Sequence, residues 1–145
     1  MDPRIKSIYW TLRIGLGTAA FLAGLDKFFN ILANWELYLS PVAKAVLPFS
    51  DVVFMRIAGV IEMAAGAILL AGLTRFGGYL VMAWLIAIAL QLVTTGHYFD
   101  VAVRDVTMAI AAFTLARLTE AGAGADARVH AEARGLFGGG AKVTA

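Results

Sequence analysis

The sequence contains no cysteine, which excludes a disulfide scaffold, a thiolate metal site and any chemistry at a thiol. Charge is also scarce: 15% of the 145 residues are charged, against about 25% in an ordinary soluble domain. Apolar residues make up 61%, and the mean hydropathy is +0.80. A chain this short cannot hide so much apolar surface from water. The composition therefore excludes a soluble monomer and indicates a protein in lipid, and a net charge of only +2 gives no support to nucleic-acid binding.

Four apolar segments are long enough to cross a hydrocarbon core, which needs about 20 helical residues. They lie at about 8–29, 52–73, 77–95 and 98–118. The connections after the second and third segments are short, and short connections make antiparallel neighbours. The sequence therefore predicts an all-α fold, an integral membrane up-down four-helix bundle within a single domain, residues 1–118.

Two further stretches are predicted to lie outside the bundle. Residues 30–51 are too interrupted by proline for a span, and Trp35 and Tyr38 suit a position at the membrane interface. Residues 119–145 are rich in alanine and glycine, with alternating charges and no apolar period. This composition predicts a mostly disordered cytoplasmic tail, with at most a short helix at 126–134.

The distribution of Lys and Arg predicts the orientation, because these residues accumulate in short cytoplasmic loops. One side of the predicted bundle holds Arg4, Lys6, Arg75, Arg117, Arg128 and Arg134, and the other holds Lys27, Lys44 and Arg104. Both termini are therefore expected in the cytoplasm. The first segment has a longer apolar run than a signal peptide and no A-x-A site after it, so it is interpreted as an uncleaved anchor.

Small residues mark one face of each of the first two predicted helices. In the first helix, helical spacing places the following residues on one face: Arg13, Gly17, Ala20, Gly24 and Lys27. In the second, Ala58, Gly59, Ala65 and Gly66 flank Glu62 on one face. Such residues let neighbouring backbones approach closely. Two interpretations of the first stripe are open: ordinary helix packing, or a seam that carries its charges, Arg13 and Lys27, inward at both ends. Arg13 lies near the cytoplasmic end, where it can snorkel, and is interpreted as an anchor.

Glu62 is the most informative single residue, because it lies near the middle of an apolar run. An ionisable group at that depth is expected to face the bundle interior. Two interpretations remain open: a buried ion pair or neutral acid that fixes helix register, or an acid that handles protons or contacts a ligand.

Polar side chains from all four predicted helices fall at similar depth near the non-cytoplasmic side, counting about 1.5 Å per residue. They are Asp26, Lys27, Arg56, Glu62, Gln91, Arg104 and Asp105. These are the candidate ligand-binding residues, and Arg56 is expected to pair with Asp26, Asp105 or Glu62. The alternatives are one shared pocket, a closed ion-pair network, or charges satisfied at the headgroup level. No metal site is predicted, because His97 has no second ligand at suitable spacing.

The sequence resembles the DoxX family of small four-helix bacterial membrane proteins. The resemblance covers residues 13–118 and rests on three segments: Arg13-Ile-Gly-Leu-Gly with Phe21-Leu-Ala-Gly-Leu-Asp-Lys-Phe28, Gly59-Val-Ile-Glu-Met-Ala-Ala-Gly66, and Arg104-Asp105. It implies that Lys27, Glu62, Arg104 and Asp105 are the polar residues typical of the family. It also implies a place in membrane redox chemistry linked to quinone or to oxidative-stress complexes.

The expected function is that of a small subunit or quinone-interacting component of a redox system in the bacterial inner membrane. Alternatives are a non-catalytic accessory subunit of a larger membrane complex and, third, a small-solute carrier or lipid-handling protein. The sequence shows no self-contained catalytic motif, and whether the chain is an enzyme is left open. No intrinsic cofactor is predicted beyond a bound quinone; the expected partners are the lipid bilayer and other membrane subunits or a second copy.

Overall fold

The computed structural model describes residues 2–138, with side chains as far as Arg134, and within that range the fold is all-α with no strand. Four long helices dominate it. The elements are α1 (Pro3–Asp26), a 3-10 helix (Trp35–Tyr38), α2 (Pro41–Val46), α3 (Asp51–Ala71), α4 (Thr74–Val93) and α5 (Phe99–Gly138). The all-α prediction is confirmed.

The helix ends follow from local sequence signals. Asp2 accepts a hydrogen bond from the Arg4 amide (2.8 Å), and Pro3 opens α1. Ser50 accepts one from Val53 (3.4 Å) at the start of α3. At the other end of α3, Gly72 adopts a left-handed φ of 106°, which glycine accommodates without strain. A two-residue turn then leads directly into α4.

The long helices pack in sequence and the last returns to the first: α1 lies on α3, α3 on α4, α4 on α5, and α5 also contacts α1. Their core contains Leu16, Leu69, Val81 and Leu115. Glycine residues mark the places where α4 comes close to its neighbouring helices. A Cβ on Gly77 would lie 3.1 Å from Leu69, and a Cβ on Gly78 would lie 3.0 Å from the Ala112 carbonyl oxygen. Paired glycines therefore let α4 contact α3 on one side and α5 on the other.

Three helices are long and apolar enough to cross a membrane: α1, α3 and α4. Of the helices described, α5 does not belong to this group, although its first part contains the fourth predicted segment. Large apolar side chains are exposed on the outward faces, among them Ile14, Val60, Leu90 and Ile110. An apolar exterior of this extent is typical of a membrane protein.

Over 119–138, where the sequence predicts a mostly disordered tail, the structure has α5 continuing unbroken through Gly138. The physical reason is that six of the residues from 121 to 133 are alanine, which has the highest helix propensity. Glu120 also accepts a hydrogen bond from Arg117 (2.6 Å) one turn earlier, which supports the helix at this point. The predicted tail residues 139–145 lie outside the described part of the chain.

Candidate functional site

A buried ion pair joins the end of α1 to the middle of α3. Lys27 Nζ lies 2.6 Å from Glu62 Oε2, and the two residues are only 8% and 6% exposed. Lys27 follows directly after the last residue of α1, and its stem passes over Gly59, where a Cβ would lie 3.1 Å from the Lys27 Cβ. The small residue at 59 is therefore what lets the ammonium reach the carboxylate. The prediction that Glu62 faces the protein interior is confirmed.

The second oxygen of Glu62 is bound from α4. Trp84 Nε1 donates to Glu62 Oε1 at 2.9 Å, so donors from two different helices meet on the carboxylate of a third. Hydrogen bonds to an ionised acceptor are stronger than neutral ones. Glu62 thus ties α1, α3 and α4 together at one depth.

Trp35 covers the ion pair from the connection after α1. Its ring centroid lies 3.8 Å from Lys27 Nζ, which is a cation–π contact, and its Nε1 donates to Asp26 Oδ2 at 2.8 Å. Asp26 also accepts hydrogen bonds from the backbone amides of Ile31 and Leu32, both at 3.0 Å. Asp26 therefore folds this connection back over Lys27, and its carboxylate is fully engaged in doing so.

Gln91 anchors the 3-10 helix rather than facing Glu62. Its Nε2 donates to the Tyr38 carbonyl oxygen at 2.9 Å, and the Tyr38 ring stacks on Tyr98 with centroids 4.6 Å apart. This contact fixes the long α1–α3 connection to the end of α4. Gln91 is thus a positioning residue for the cover formed by Trp35.

Asp105 is a further ionisable residue buried at this end, in addition to Asp26, Lys27 and Glu62. It lies in the second turn of α5, is 7% exposed, and interacts electrostatically with both Lys27 and Glu62. Within residues 2–138 it has no hydrogen-bond or ion-pair partner. No fully enclosed side-chain oxygen or nitrogen in the described residues lacks a hydrogen-bond partner, so the carboxyl oxygens of Asp105, which have none, lie in a buried residue without being fully enclosed themselves.

Arg56 and Arg104 do not join this group, so the prediction that Arg56 pairs with an acid of the layer is wrong. Both side chains are exposed, and neither forms an ion pair within the described residues. The reason is angular: six residues at 100° each turn Arg56 to a different face of α3 from Glu62, and Arg104 lies 100° from Asp105. Residues at the same depth along their helices lie in one layer, but only those on helix faces that are turned toward each other come into contact.

The opposite end of the helices carries a second polar cluster, which begins at Arg13. Arg13 donates from Nε to the Leu69 carbonyl oxygen (3.0 Å) and from Nη2 to that of Leu70 (2.6 Å). It therefore caps the end of α3, and its interpretation as a simple anchor is wrong. Tyr9 and Thr74 share a hydrogen bond of 2.7 Å beside it.

Glu120 completes this second cluster from α5. It forms ion pairs with Arg75 (2.8 Å) and Arg117 (2.6 Å) and accepts a hydrogen bond from Tyr79 (3.2 Å). An open cleft of about 430 Å³ lies between the α3–α4 turn and Thr119 of α5. The first turns of α1 and the Glu120 region of α5 therefore lie at the same end of the molecule.

Trp84 and Trp35 are the site residues that the sequence did not reveal. A tryptophan in an apolar run is typical of core packing, and nothing in the spacing links Trp84 to Glu62. The one available signal is general: a buried indole N–H usually has an acceptor, and Glu62 is the acid in the apolar part of the chain.

Comparisons with protein-family models, with curated proteins and with solved structures found no match. The resemblance to the DoxX family stays a prediction from the sequence. Function is therefore argued from the geometry alone. Among residues 2–138, no cluster of three or more histidine or acidic side chains is arranged to hold a metal ion.

Proposed function

We propose that the chain is a multi-pass protein of the bacterial inner membrane in which α1, α3, α4 and the first part of α5 form a four-helix bundle. Three of these helices have the required length and apolarity. For α5, support comes from its packing along α4 and from exposed apolar residues such as Val103 (67%), Ile110 (61%) and Phe113 (43%). Arg4, Lys6, Arg75 and Arg117 lie at one end, which favours cytoplasmic termini.

The absence of natural cysteine makes this topology directly testable. Asn34→Cys and Ala127→Cys place single thiols at exposed positions on opposite sides of the proposed bundle. A membrane-impermeant maleimide added to intact spheroplasts is expected to label Asn34→Cys, and to label Ala127→Cys only after lysis. The reverse pattern would invert the orientation, and equal labelling of both in intact cells would contradict the four-span bundle.

The function best supported by the site is that of a DoxX-like, quinone-interacting component of a membrane redox system. The observation that carries it is the burial of Lys27, Glu62 and Asp105 among apolar helices at one end of the molecule. Ionisable residues inside a membrane are expensive and mark ligand or proton pathways. Only one of the three ammonium donors of Lys27 goes to Glu62, which leaves donors for a quinone carbonyl. A partner subunit would supply the electrons.

A photoreactive ubiquinone analogue tests this function in the purified full chain, reconstituted in lipid nanodiscs. Crosslinks are expected in the peptides that contain Lys27 or Asp105, and excess ubiquinone should suppress them. Lys27→Gln should reduce crosslinking by about tenfold, equivalent to one lost interaction of roughly 1.4 kcal/mol. Arg56→Gln, which removes an exposed cation from α3, is the matched control. Labelling that is spread over all helices and resists competition would overturn the proposal.

One observation favours a second candidate, a non-catalytic accessory subunit. Both oxygens of Glu62 are already bound, so the Lys27–Glu62–Trp84 group serves to lock three helices as it stands. In that case the exposed apolar faces pack against a larger membrane complex. Native purification in mild detergent separates the two: co-purification of one complex whose activity is unchanged in Lys27→Gln favours the accessory role.

A further inference from the structure

The end of the molecule that holds Lys27 has an imbalance of buried charge. Lys27, Glu62 and Asp105 are 8%, 6% and 7% exposed. Asp26 is also 7% exposed, but Trp35 and two backbone amides bind its carboxylate, which leaves two carboxyl groups with a single ammonium for a partner. Transfer of an unpaired charge into an apolar interior is far more costly than transfer of a neutral group. If Glu62 and Asp105 were both ionised, one of these two carboxylates would have neither a cation nor a hydrogen-bond donor of its own. A proton on one of the two acids removes that unpartnered charge.

The hydrogen bonds decide which acid holds that proton. Glu62 receives a donor on each oxygen, Lys27 at 2.6 Å and Trp84 at 2.9 Å. Asp105 receives none from residues 2–138. An arrangement that directs two donors at one carboxyl group and none at the other fits a Glu62 carboxylate beside a neutral Asp105.

The other charged groups near Asp105 are Arg104 and Asp26. Arg104, on the same helix as Asp105, has a stronger charge–charge interaction with it than Glu62 or Lys27 has, but its side chain is exposed and forms no ion pair with Asp105 within the described residues. Asp26 of α1 is engaged by Trp35 and two backbone amides. The ionisable residues of α4, Arg75 and Tyr79, lie at the opposite end with Glu120. The groups that face Asp105 from α1 and α3 are therefore Lys27 and Glu62.

We infer that Asp105 is an exchangeable proton-binding site, neutral while Lys27 is paired with Glu62 and able to release its proton when Lys27 becomes available to it. This moves proton handling from Glu62, where the sequence placed it, to α5. The proton leaves the Asp105 carboxyl oxygen as H⁺, and the resulting carboxylate shares Lys27 with Glu62, so no oxidant or reductant takes part. The inference needs the helices to lie in a membrane, but it does not need a quinone.

Infrared spectroscopy of the full chain in lipid nanodiscs tests the inference without any substitution. A protonated carboxylic acid has a carbonyl stretch separate from those of carboxylates and amides. We expect this band at neutral pH, and we expect it to shift when the protein is made with ¹³C-carboxyl-labelled aspartate but not with labelled glutamate. Loss of the band on raising the pH would report release of the proton.

Matched variants then assign the band to one residue. Asp105→Asn should abolish it, whereas Asp100→Asn, the same change at an exposed position of the same helix, should leave it intact. A band that shifts only with labelled glutamate, or that survives Asp105→Asn, would overturn the inference, as would the absence of any protonated acid at neutral pH. A confirmed Asp105 band in a protein that fails to crosslink the quinone analogue would reject the proposed function and leave this inference standing.

Discussion

Gly24 on α1 and Gly59 on α3 each occupy the space that a side chain on the other would need. A Cβ on Gly24 would lie 2.5 Å from the Gly59 carbonyl oxygen, and a Cβ on Gly59 would lie 2.6 Å from that of Gly24. A one-sided contact follows seven residues further along, where a Cβ on Gly66 would lie 2.6 Å from the Gly17 carbonyl oxygen, whereas a Cβ on Gly17 would first meet the Leu70 side chain at 2.7 Å. The two antiparallel helices therefore meet backbone to backbone, and this proximity is what brings Lys27 to Glu62.

Gly59→Ala is expected to destabilise the protein, because the new methyl group would meet backbone rather than a movable side chain. Overpacking of this kind costs about 1–3 kcal/mol. The free energy of unfolding, measured by denaturant titration in detergent micelles, checks the prediction. Separation of α1 from α3 should also weaken the Lys27–Glu62 contact.

Gly15→Ala is the matched control on α1. A Cβ at this position meets nothing within 4 Å. The substitution should leave stability unchanged or raise it by about 0.5–1 kcal/mol, since alanine is the better helix former. Equal losses in the two variants would show that the glycine pairs are not what holds α1 against α3.

Arg13→Met should destabilise the opposite end of the molecule. It removes the hydrogen bonds to the Leu69 and Leu70 carbonyl oxygens, together with the stacking over Trp10 at 4.7 Å. Hydrogen bonds from charged groups contribute about 1.5–3 kcal/mol. Lys6→Gln, which removes an exposed cation one to two turns earlier, serves as the control in the same unfolding experiment. If the two variants are equally stable, Arg13 acts only as an interfacial anchor.

Much of the fold can be predicted from the long apolar segments and from the helical spacing of small residues. Helices that cross a membrane have to be long and apolar, and helices that pack closely need small residues where they meet. Gly17 and Gly24 were correctly placed on the face that meets Gly59 and Gly66. The extension of α5 was not predicted, because its composition resembles that of a linker, and its helix depends on the summed propensity of its alanine residues rather than on an apolar stripe.

The site was predictable only in part. Burial of Glu62 follows from its position in an apolar run, but the partner of that acid does not. Arg56 and Lys27 lie at similar predicted depth, and only the rotation of α3 against α1 decides between them. The spacing of Trp84 does not predict its contact with Glu62, since that contact depends on how α4 is rotated about its own axis.

Deletion of residues 123–145 is expected to leave the bundle folded, because the side chains at 123–132 of the extension are exposed. Retention of Glu120 is essential to this design, as it joins α5 to Arg75 and Tyr79. Full-length Glu120→Ala should lose about 1 kcal/mol, the scale of part-exposed ion pairs. Membrane accumulation and thermal stability in detergent provide the measurement. Loss of the truncated protein from the membrane would show that the extension is a docked element.

A double-mutant cycle on Glu62 and Asp105 separates a proton-exchanging cluster from a passive ion pair. Asp105→Asn alone should cost little, because a neutral amide replaces a neutral acid. Glu62→Gln alone should also be tolerated, because Asp105 can ionise and take over Lys27, with which it already interacts. The double variant removes both carboxylates that interact with Lys27 and leaves only Asp26, which is already engaged by Trp35 and two backbone amides, so it should lose about 3–5 kcal/mol. That loss would exceed the sum of the single losses, the mark of energetic coupling between neighbours. Glu62→Gln alone could instead lose as much free energy of unfolding in micelles as the double variant. In that case Asp105 does not take the place of Glu62, and the Lys27–Glu62 pair has only a structural role.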